Sequence, residues 1–453
     1  EAIVKEEALK NEEAWGASNM ALVAVDPTTG GILSMVGSRD YSDPAIDGKF
    51  NVALAQRQPG SSFKPFIYAT GFEMGYTDQT ILFDVPTQFA GRCGVTNFSS
   101  DGGCYAPNNH DRKFLGPLTV RNALAQSRNI PAIKMQYLVG TQAAIDTARD
   151  MGISSLKEAD TYGLTLVLGG GEVSLLDITS AYGVFGNDGI RNDHFAILKV
   201  TDKKGTVLEE HQLNPQKAIE PEAARMISSV LSDNGARAPL FGSNSFFYFG
   251  SAYDVAGKTG TTNNKRDAWV VGYSPSVAVG VWSGNNDNTP MRSGSTISGS
   301  AWHRYMQEAL RIVPNKRFIS PTPTDMTTLK PILRGVWAGG ESVTIDTISQ
   351  KRATEFTPPE TRKELVIPNP HSILHWVDRA DPRGPIPENP SRDSQYEQWE
   401  AGVRIWMQQN TSQILTNNGQ GQGEGGETII GTVLPTETDD VHVPARFPSI
   451  TLD

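Results

Sequence analysis

The chain has 453 residues, 38% of them hydrophobic and 20% charged, a globular composition able to bury a full core in one large domain with an annex or in two to three smaller ones. Its formal net charge of −10 argues against a nucleic-acid partner, because phosphate binding requires clustered Lys and Arg. No apolar run is long enough to cross a bilayer, and a chain that opens at Glu1 without Met or a signal peptide places any export signal or anchor upstream.

In chain order, Glu1 to Glu13 read as a charged helix, and Met20 to Val25 as an apolar strand ending at Asp26-Pro27. Thr28 to Gly31 supply a turn, and Ile32 to Val36 return as the partner strand. Apolar residues then recur at helical spacing from Phe63 to Met74, around Arg121–Leu138 and over Ser174–Phe185, with Gly75 and Gly189 as stop signals. Between the first two of these lie Cys93 and Cys104, in a Gly- and Ser-rich stretch. A bridge there would close a short loop, worth roughly 2–3 kcal/mol. Two free thiols are the alternative, and a metal site with His110 fits no zinc spacing.

A helix over Glu220–Leu231 precedes three strand patterns, Asp254–Gly257, Ala268–Tyr273 and Val277–Trp282, joined by turns too short for crossovers. Strands from both ends of the first ~310 residues would therefore form one antiparallel sheet with helices inserted between them, an α+β arrangement, and Ala301–Arg311 would cover it. Beyond Pro314 the chain becomes Pro-rich. Tyr396, Trp399, Val403 and Trp406 fall on one helical face, read as packing. Gly419 to Gly426 read as a flexible linker. The expected organisation is a linker helix (1–15), a principal domain (16–315), a C-terminal extension (316–416), and a Gly-rich linker with tail (417–453).

Three strings carry chemistry: Ser61-Ser62-Phe63-Lys64, Ser127-Arg128-Asn129 and Lys258-Thr259-Gly260. S-x-x-K, S-x-N and K-T-G in this order mark serine acyl transfer. A bare S-x-x-K is weak, since average usage predicts about one or two by chance, and Ser154-Ser155-Leu156-Lys157 also matches. Context separates the copies. Ser61 follows Pro59-Gly60 and opens an apolar helix, where its hydroxyl and the Lys64 amine share a face. Lys157 is followed by Glu158 and Asp160, whose carboxylates would keep it charged and solvated.

Ser127-Arg128-Asn129 interrupts an apolar helical stretch and so forms a polar corner between buried segments. Ser127 could pass a proton to a leaving amine and Asn129 could bond a substrate amide. The literal Ser232-Asp233-Asn234 instead ends a helix, with Asn234-Gly235 as C-terminal chemistry, and Ser283-Gly284-Asn285 closes a strand. Lys258-Thr259-Gly260 is the only K-T-G, a triplet expected about once in ten chains of this size. Read as the start of an edge strand, it places Thr259 and Thr261 on one face, able to bind a carboxylate, while Gly260 permits close backbone approach and Lys258 adds charge. Lys258 is also the second cation that would help depress Lys64.

In their contexts, Arg57 to Phe66, Ala125 to Ala132 and Gly257 to Thr262 resemble the transpeptidase domain of class A penicillin-binding proteins, as do Tyr105 to Asp111, Gly169 to Ser174 and Asp233 to Pro239. The resemblance covers roughly residues 15–315. It implies a five-stranded antiparallel sheet covered by helices, plus an inserted all-helical subdomain. It further implies a D,D-transpeptidase that cross-links peptidoglycan stem peptides outside the cytoplasmic membrane and is acylated by β-lactams. Ser61 would be the nucleophile, Lys64 its base, Ser127 with Lys258 the proton donor to departing D-Ala, and the N–H groups of Ser61 and Thr261 the oxyanion hole. Thr259 and Thr261 would hold the terminal carboxylate.

No metal or cofactor is implied, and a glycosyltransferase domain with a membrane anchor is expected upstream. A serine β-lactamase would need a carboxylate to activate water. Glu172-Val173-Ser174-Leu175-Leu176 departs from that pattern, with Leu176 where Asn is expected. A D,D-carboxypeptidase would use the same residues with water as acceptor. A non-catalytic wall- or partner-binding module is the expectation for residues 316–453.

Overall fold

The computed structural model describes residues 1–338, 340–416, 429–430 and 435–443. The Gly419–Gly426 linker expected from composition lies outside the described residues. Helix α1 (Ala2–Trp15) leads into strands β1 (Asn19–Val25) and β2 (Ile32–Val36), followed by α2 (Lys64–Glu73), β3 (Ile81–Asp84) and β4 (Gly116–Thr119). Next come α3 (Val120–Ala125), α4 (Asn129–Val139), α5 (Thr141–Asp150) and α6 (Leu175–Gly186). Four short strands, β5 (Ile190–Arg191), β6 (Lys199–Thr201), β7 (Val207–Glu210) and β8 (Gln216–Lys217), precede α7 (Pro221–Ser232) and α8 (Asn234–Phe241). The chain then returns as β9 (Ala256–Thr261), β10 (Asp267–Ser274) and β11 (Val277–Gly284), capped by α9 (Gly299–Ile312). The extension contributes β12 (Gly340–Asp346), β13 (Arg362–Pro368), α10 (Ile373–Trp376), α11 (Tyr396–Thr416) and β14 (Ile429–Ile430).

The principal sheet has five strands in the order β2-β1-β11-β10-β9, every neighbouring pair antiparallel. Every residue of β1, β10 and β11 is buried, because both faces of the sheet are covered. Alternation divides their side chains between two cores. Ala21, Val23, Val25, Trp269, Val271, Tyr273 and Trp282 join the large core that also contains Phe66, Ile133 and Tyr182. Met20, Leu22, Ala24, Val270, Val279 and Val281 pack against Val4 and Ala8 of α1 and Trp302 and Met306 of α9. The α+β expectation and the five-stranded antiparallel sheet hold.

Several boundaries differ from the sequence reading. The helical stretch over Arg121–Leu138 is two helices, since Ser127 sits at φ +55° between α3 and α4. Asn234 starts α8 rather than ending α7, because the Asp233 side chain caps α8 by accepting from Ala236 N. The strand expected at Asp254–Gly257 runs from Ala256 to Thr261, so K-T-G lies inside β9 instead of opening it. Cys93 and Cys104 are bridged, with Cα atoms 5.8 Å apart.

The extension packs on the same core. Trp399 and Val403 are fully buried there, beside Ile332, Leu333 and Leu374. Trp399 lies under the Lys134 ammonium, 5.3 Å from ring centroid to Nζ, and Trp406 packs edge-on to Phe83, 5.7 Å between centroids. Packing is thus the role of that aromatic stripe. Among the described residues no helix is long and apolar enough to cross a membrane.

Candidate active site

Ser61 lies in a 3₁₀ turn, Gly60–Phe63, that runs directly into α2 at Lys64. Residues i and i+3 eclipse in a 3₁₀ turn, so the Ser61 and Lys64 side chains leave the backbone on one line. The turn is anchored from several sides. Arg57 exchanges backbone hydrogen bonds with Val173 at 3.0 and 2.9 Å, while its guanidinium stacks 5.3 Å over the Trp282 ring. Trp269 Nε1 donates to Gln58 O at 2.8 Å, and Tyr182 OH to Ser62 O at 2.6 Å.

Two glycines let this turn press onto edge strand β9. Gly60 has φ +56°, and a Cβ on it would lie 2.5 Å from Thr261 O. A Cβ on Gly260 would lie 2.1 Å from Pro59 O and 2.9 Å from Ser62 Oγ. Any larger residue at either position would push the Ser61 turn off the strand.

The polar corner at Ser127 joins the turn and the strand. Lys64 Nζ donates to Ser127 O (2.7 Å), Arg128 O (3.1 Å) and Asn129 Oδ1 (2.8 Å). Lys258 Nζ donates to Ser127 Oγ at 2.7 Å and to Thr259 O at 3.0 Å. Both lysines are almost wholly buried. Burial holds Lys64 well below the usual lysine range, the nearby cations Lys258 and Arg128 depress it further, and Asp84 opposes them. Burial alone brings Lys258 down to about 7. Three acceptors match the three N–H bonds of a charged Lys64. On losing a proton, the neutral amine keeps two donors and turns a lone pair toward its surroundings.

A second layer fixes the corner. Arg128 donates through Nε to Asp84 (3.0 Å), through Nη1 to Asp111 (2.8 Å), and through Nη2 to Lys113 O. Asn109 bonds Asp84 Oδ1 at 2.7 Å and accepts from Asn129 N at 2.7 Å. Asn129 Nδ2 reaches Asn108 O at 2.8 Å. The left-handed Ser127 closes α3, with Ser127 N donating to Leu124 O and Arg128 N to Ala123 O, and the buried Arg128–Asp84 ion pair fixes the corner in place. Sequence reasoning gave no role to Asp84, Asn109, Asp111 or Arg128. The available signal was an Asp closing an apolar strand and an Arg inside an apolar helical stretch.

The alternation of β9 sends Lys258 and Gly260 toward the helices, opposite Val271 and Trp269, and Thr259 and Thr261 to the other face, opposite Val270 and Ala268. The threonines share a face with each other but not with Lys258, so a ligand meets all three only along the strand's outer edge. Thr262 N donates to Asp267 O on β10. Since successive N–H groups along an antiparallel strand point alternately toward and away from the neighbouring strand, the Thr261 N–H points away from β10. The other literal strings lie elsewhere. Ser154 and Lys157 are exposed, and the partner of Glu158 is Arg149 at 3.5 Å, not Lys157. Ser232 closes α7, and Ser283 is buried in β11.

This sheet, with its catalytic-type strings gathered at one edge, is the β-lactamase-like fold. Residues 20–307 match the family described as penicillin binding protein transpeptidase domain, and the chain belongs to that family. It is 33% identical over 309 residues to penicillin-binding protein 1A of Neisseria lactamica, covering 66% of this chain and 37% of that protein. It is also 33% identical over 321 residues to penicillin-binding protein 1A of Aquifex aeolicus, covering 69% and 41%. The chain thus spans 37% to 41% of the length of these curated relatives.

Among solved structures, PonA1 of Mycobacterium tuberculosis in complex with penicillin V aligns with TM-score 0.60 at 23% identity, covering 72% of this chain and 86% of that one. Penicillin-binding protein 1A of Haemophilus influenzae aligns at TM-score 0.58 and 24% identity, covering 76% and 52%. These two likenesses carry the fold.

Proposed function

We propose that the chain is a D,D-transpeptidase domain that cross-links peptidoglycan stem peptides through an acyl-enzyme on Ser61. The observation that carries this reading is the placement of Ser127 between two buried lysines, its carbonyl on Lys64 and its hydroxyl on Lys258. Neutral Lys64 takes the Ser61 proton as Oγ attacks the D-Ala-D-Ala carbonyl. The C–N bond then breaks, the departing D-Ala amine receives the Ser127 hydroxyl proton, and Lys258 replaces it.

The Thr261 N–H, directed off the outer edge of β9, and the Ser61 N–H donate to the oxyanion. Lys258, Thr259 and Thr261 attract the terminal carboxylate along that edge, and Asn129 bonds the peptide amide. An amine from a second stem peptide attacks the ester and passes its proton through Ser127 to Lys258, while Lys64 returns its proton to Ser61 Oγ as the new amide forms and the ester C–O bond breaks. β-Lactams acylate the same serine and remain. The work is done outside the cytoplasmic membrane, with a glycosyltransferase domain and membrane anchor preceding this part of the full-length protein.

Hydrolysis as the main outcome has less support. Glu172 is exposed, whereas a carboxylate that activates water for deacylation needs a sheltered place beside the ester, and Leu176 is buried. Fluorescent penicillin tests the assignment. Stable labelling, lost in Ser61→Ala and kept in Ser154→Ala, is expected. Labelling that survives Ser61→Ala overturns the choice of nucleophile, and rapid turnover of a chromogenic cephalosporin overturns the transpeptidase reading.

A further inference from the structure

The extension carries a polar cluster far removed in sequence from the chemistry at Ser61. Asp346 ends β12 and starts the turn that returns at Lys351, whose carbonyl accepts from Asp346 N at 2.9 Å. The segment at 435–443 lies against this turn. Arg352 N donates to Glu437 O at 2.9 Å and Asp439 N to Arg352 O at 2.7 Å, while Lys351 pairs with Glu437 and Asp440 at 2.8 and 2.7 Å. These contacts bring donor atoms of Asp346, Asp439 and His442 within 4.8 Å of one another.

Both carboxylates are buried, Asp346 at 0% exposure and Asp439 at 4%, and one imidazole faces them. His442 Nδ1 is 2.8 Å from Asp439 Oδ2 and 3.8 Å from Asp346 Oδ2. One imidazole faces two buried carboxylates, which are otherwise held by backbone N–H and hydroxyl donors rather than by a second cation. Asp346 Oδ1 is buried with no hydrogen-bond partner among the described residues, which native proteins rarely allow.

We propose that Asp346, Asp439 and His442 bind a divalent transition-metal cation, Zn²⁺ or Mn²⁺, which clips the 435–443 segment onto the β12 turn. Two carboxylate oxygens and one imidazole nitrogen suit these ions better than Ca²⁺, which takes oxygen ligands. Ligand atoms about 2.0–2.1 Å from a tetrahedral ion stand roughly 3.3 Å apart. The separations of 2.8 and 3.8 Å bracket that spacing, so half an ångström of side-chain adjustment, on the order of ordinary rotamer play, seats the ion.

Both carboxylates are fixed in place by donors other than the imidazole. Asp346 Oδ2 accepts from Ser349 N at 2.6 Å and Ile348 N at 3.2 Å, and Asp439 Oδ2 accepts from Thr357 Oγ1 at 2.6 Å. Water can complete the coordination on the exposed side of His442.

The test is calorimetric titration of the chelator-dialysed full chain with Zn²⁺, Mn²⁺ and, as control, Ca²⁺. One Zn²⁺ or Mn²⁺ per chain is expected, with a rise in unfolding midpoint that a chelator reverses. Affinity should fall by roughly tenfold or more in Asp346→Asn and in His442→Gln. His442 is partly exposed, so its variant stays informative if the Asp346 variant fails to fold. No binding, preference for Ca²⁺, or undiminished affinity in the folded His442→Gln protein overturns the site.

Discussion

Lys258 Nζ on β9 and Ser127 Oγ in the α3–α4 corner stand 2.7 Å apart, joining the sheet to the helical region. If this bond passes the proton to the leaving amine, Ser127→Ala should lower the rate of acylation by penicillin on the order of 10²–10⁴-fold. Stopped-flow labelling reads the rate, and circular dichroism checks that the fold persists. An unchanged rate in the folded variant would remove Ser127 from the mechanism.

The pH profile of acylation follows from the two lysines. In the proposed mechanism Lys64 must be neutral to act, and its depressed range would let the rate rise with pH well below the usual lysine range. In the same mechanism Lys258 must be charged, and its value of about 7 would make the rate fall again as pH climbs through neutrality. A bell with its alkaline limb near 7 is expected for wild type. In Lys258→Arg, whose charge persists, that limb should move to much higher pH even if the rate is lower.

Stability should respond in the opposite sense. With Lys258 at about 7 when folded and near 10.4 when unfolded, the unfolded chain binds more protons between these values, so this group makes stability rise with pH over that window. Replacing it by Met should raise the unfolding midpoint at pH 7 while abolishing acylation, and the gain should shrink toward pH 10. A midpoint that drops at pH 7 would contradict the burden assigned to this buried amine.

Asp84 compensates Arg128 beneath the corner. Asp84→Ala leaves a buried guanidinium with less compensation and should cost about 3–5 kcal/mol in urea unfolding. Labelling of Ser61 should fall along with it because Ser127 loses its support. A loss under about 1 kcal/mol would mean that Asp111 and Lys113 O alone hold the Arg.

The Cys93–Cys104 bridge closes a loop of sequence separation 11, whereas Lys64 and Lys258 bond to Ser127, Arg128, Asn129 and Thr259. Reduction should lower stability by about 3 kcal/mol or less and leave the penicillin acylation rate within a factor of about two.

Much of the fold was legible because it depends on local pattern. The all-apolar Met20–Val25 announces a strand covered on both faces, and Pro59-Gly60 before an apolar helix singles out Ser61 from Ser154. What was not legible depends on pairing across the chain. Ser127 carries no Gly or Asn signal for its φ of +55°, and the corner it makes at the end of α3 is fixed through Arg128 by Asp84 and Asp111, remote in sequence. Asn234-Gly235 reads as a helix end, since both residues favour that position, yet the Asp233 cap makes it a beginning. Likewise, alternation alone pairs Thr259 with Thr261, but only the register against β10 shows them on the face opposite Lys258.

The partner of β1 on its inner side is β11, with the whole helical region synthesised between them. At translation rates of about 5–20 residues per second, β1 waits on the order of tens of seconds after leaving the ribosome before Val277–Gly284 exists to cover it. During that interval Asn19–Val25 is an apolar strand with an open edge, the kind of segment that recruits other chains. Expression yield and dependence on holdase chaperones should therefore track the sequence of β1 more closely than that of the site.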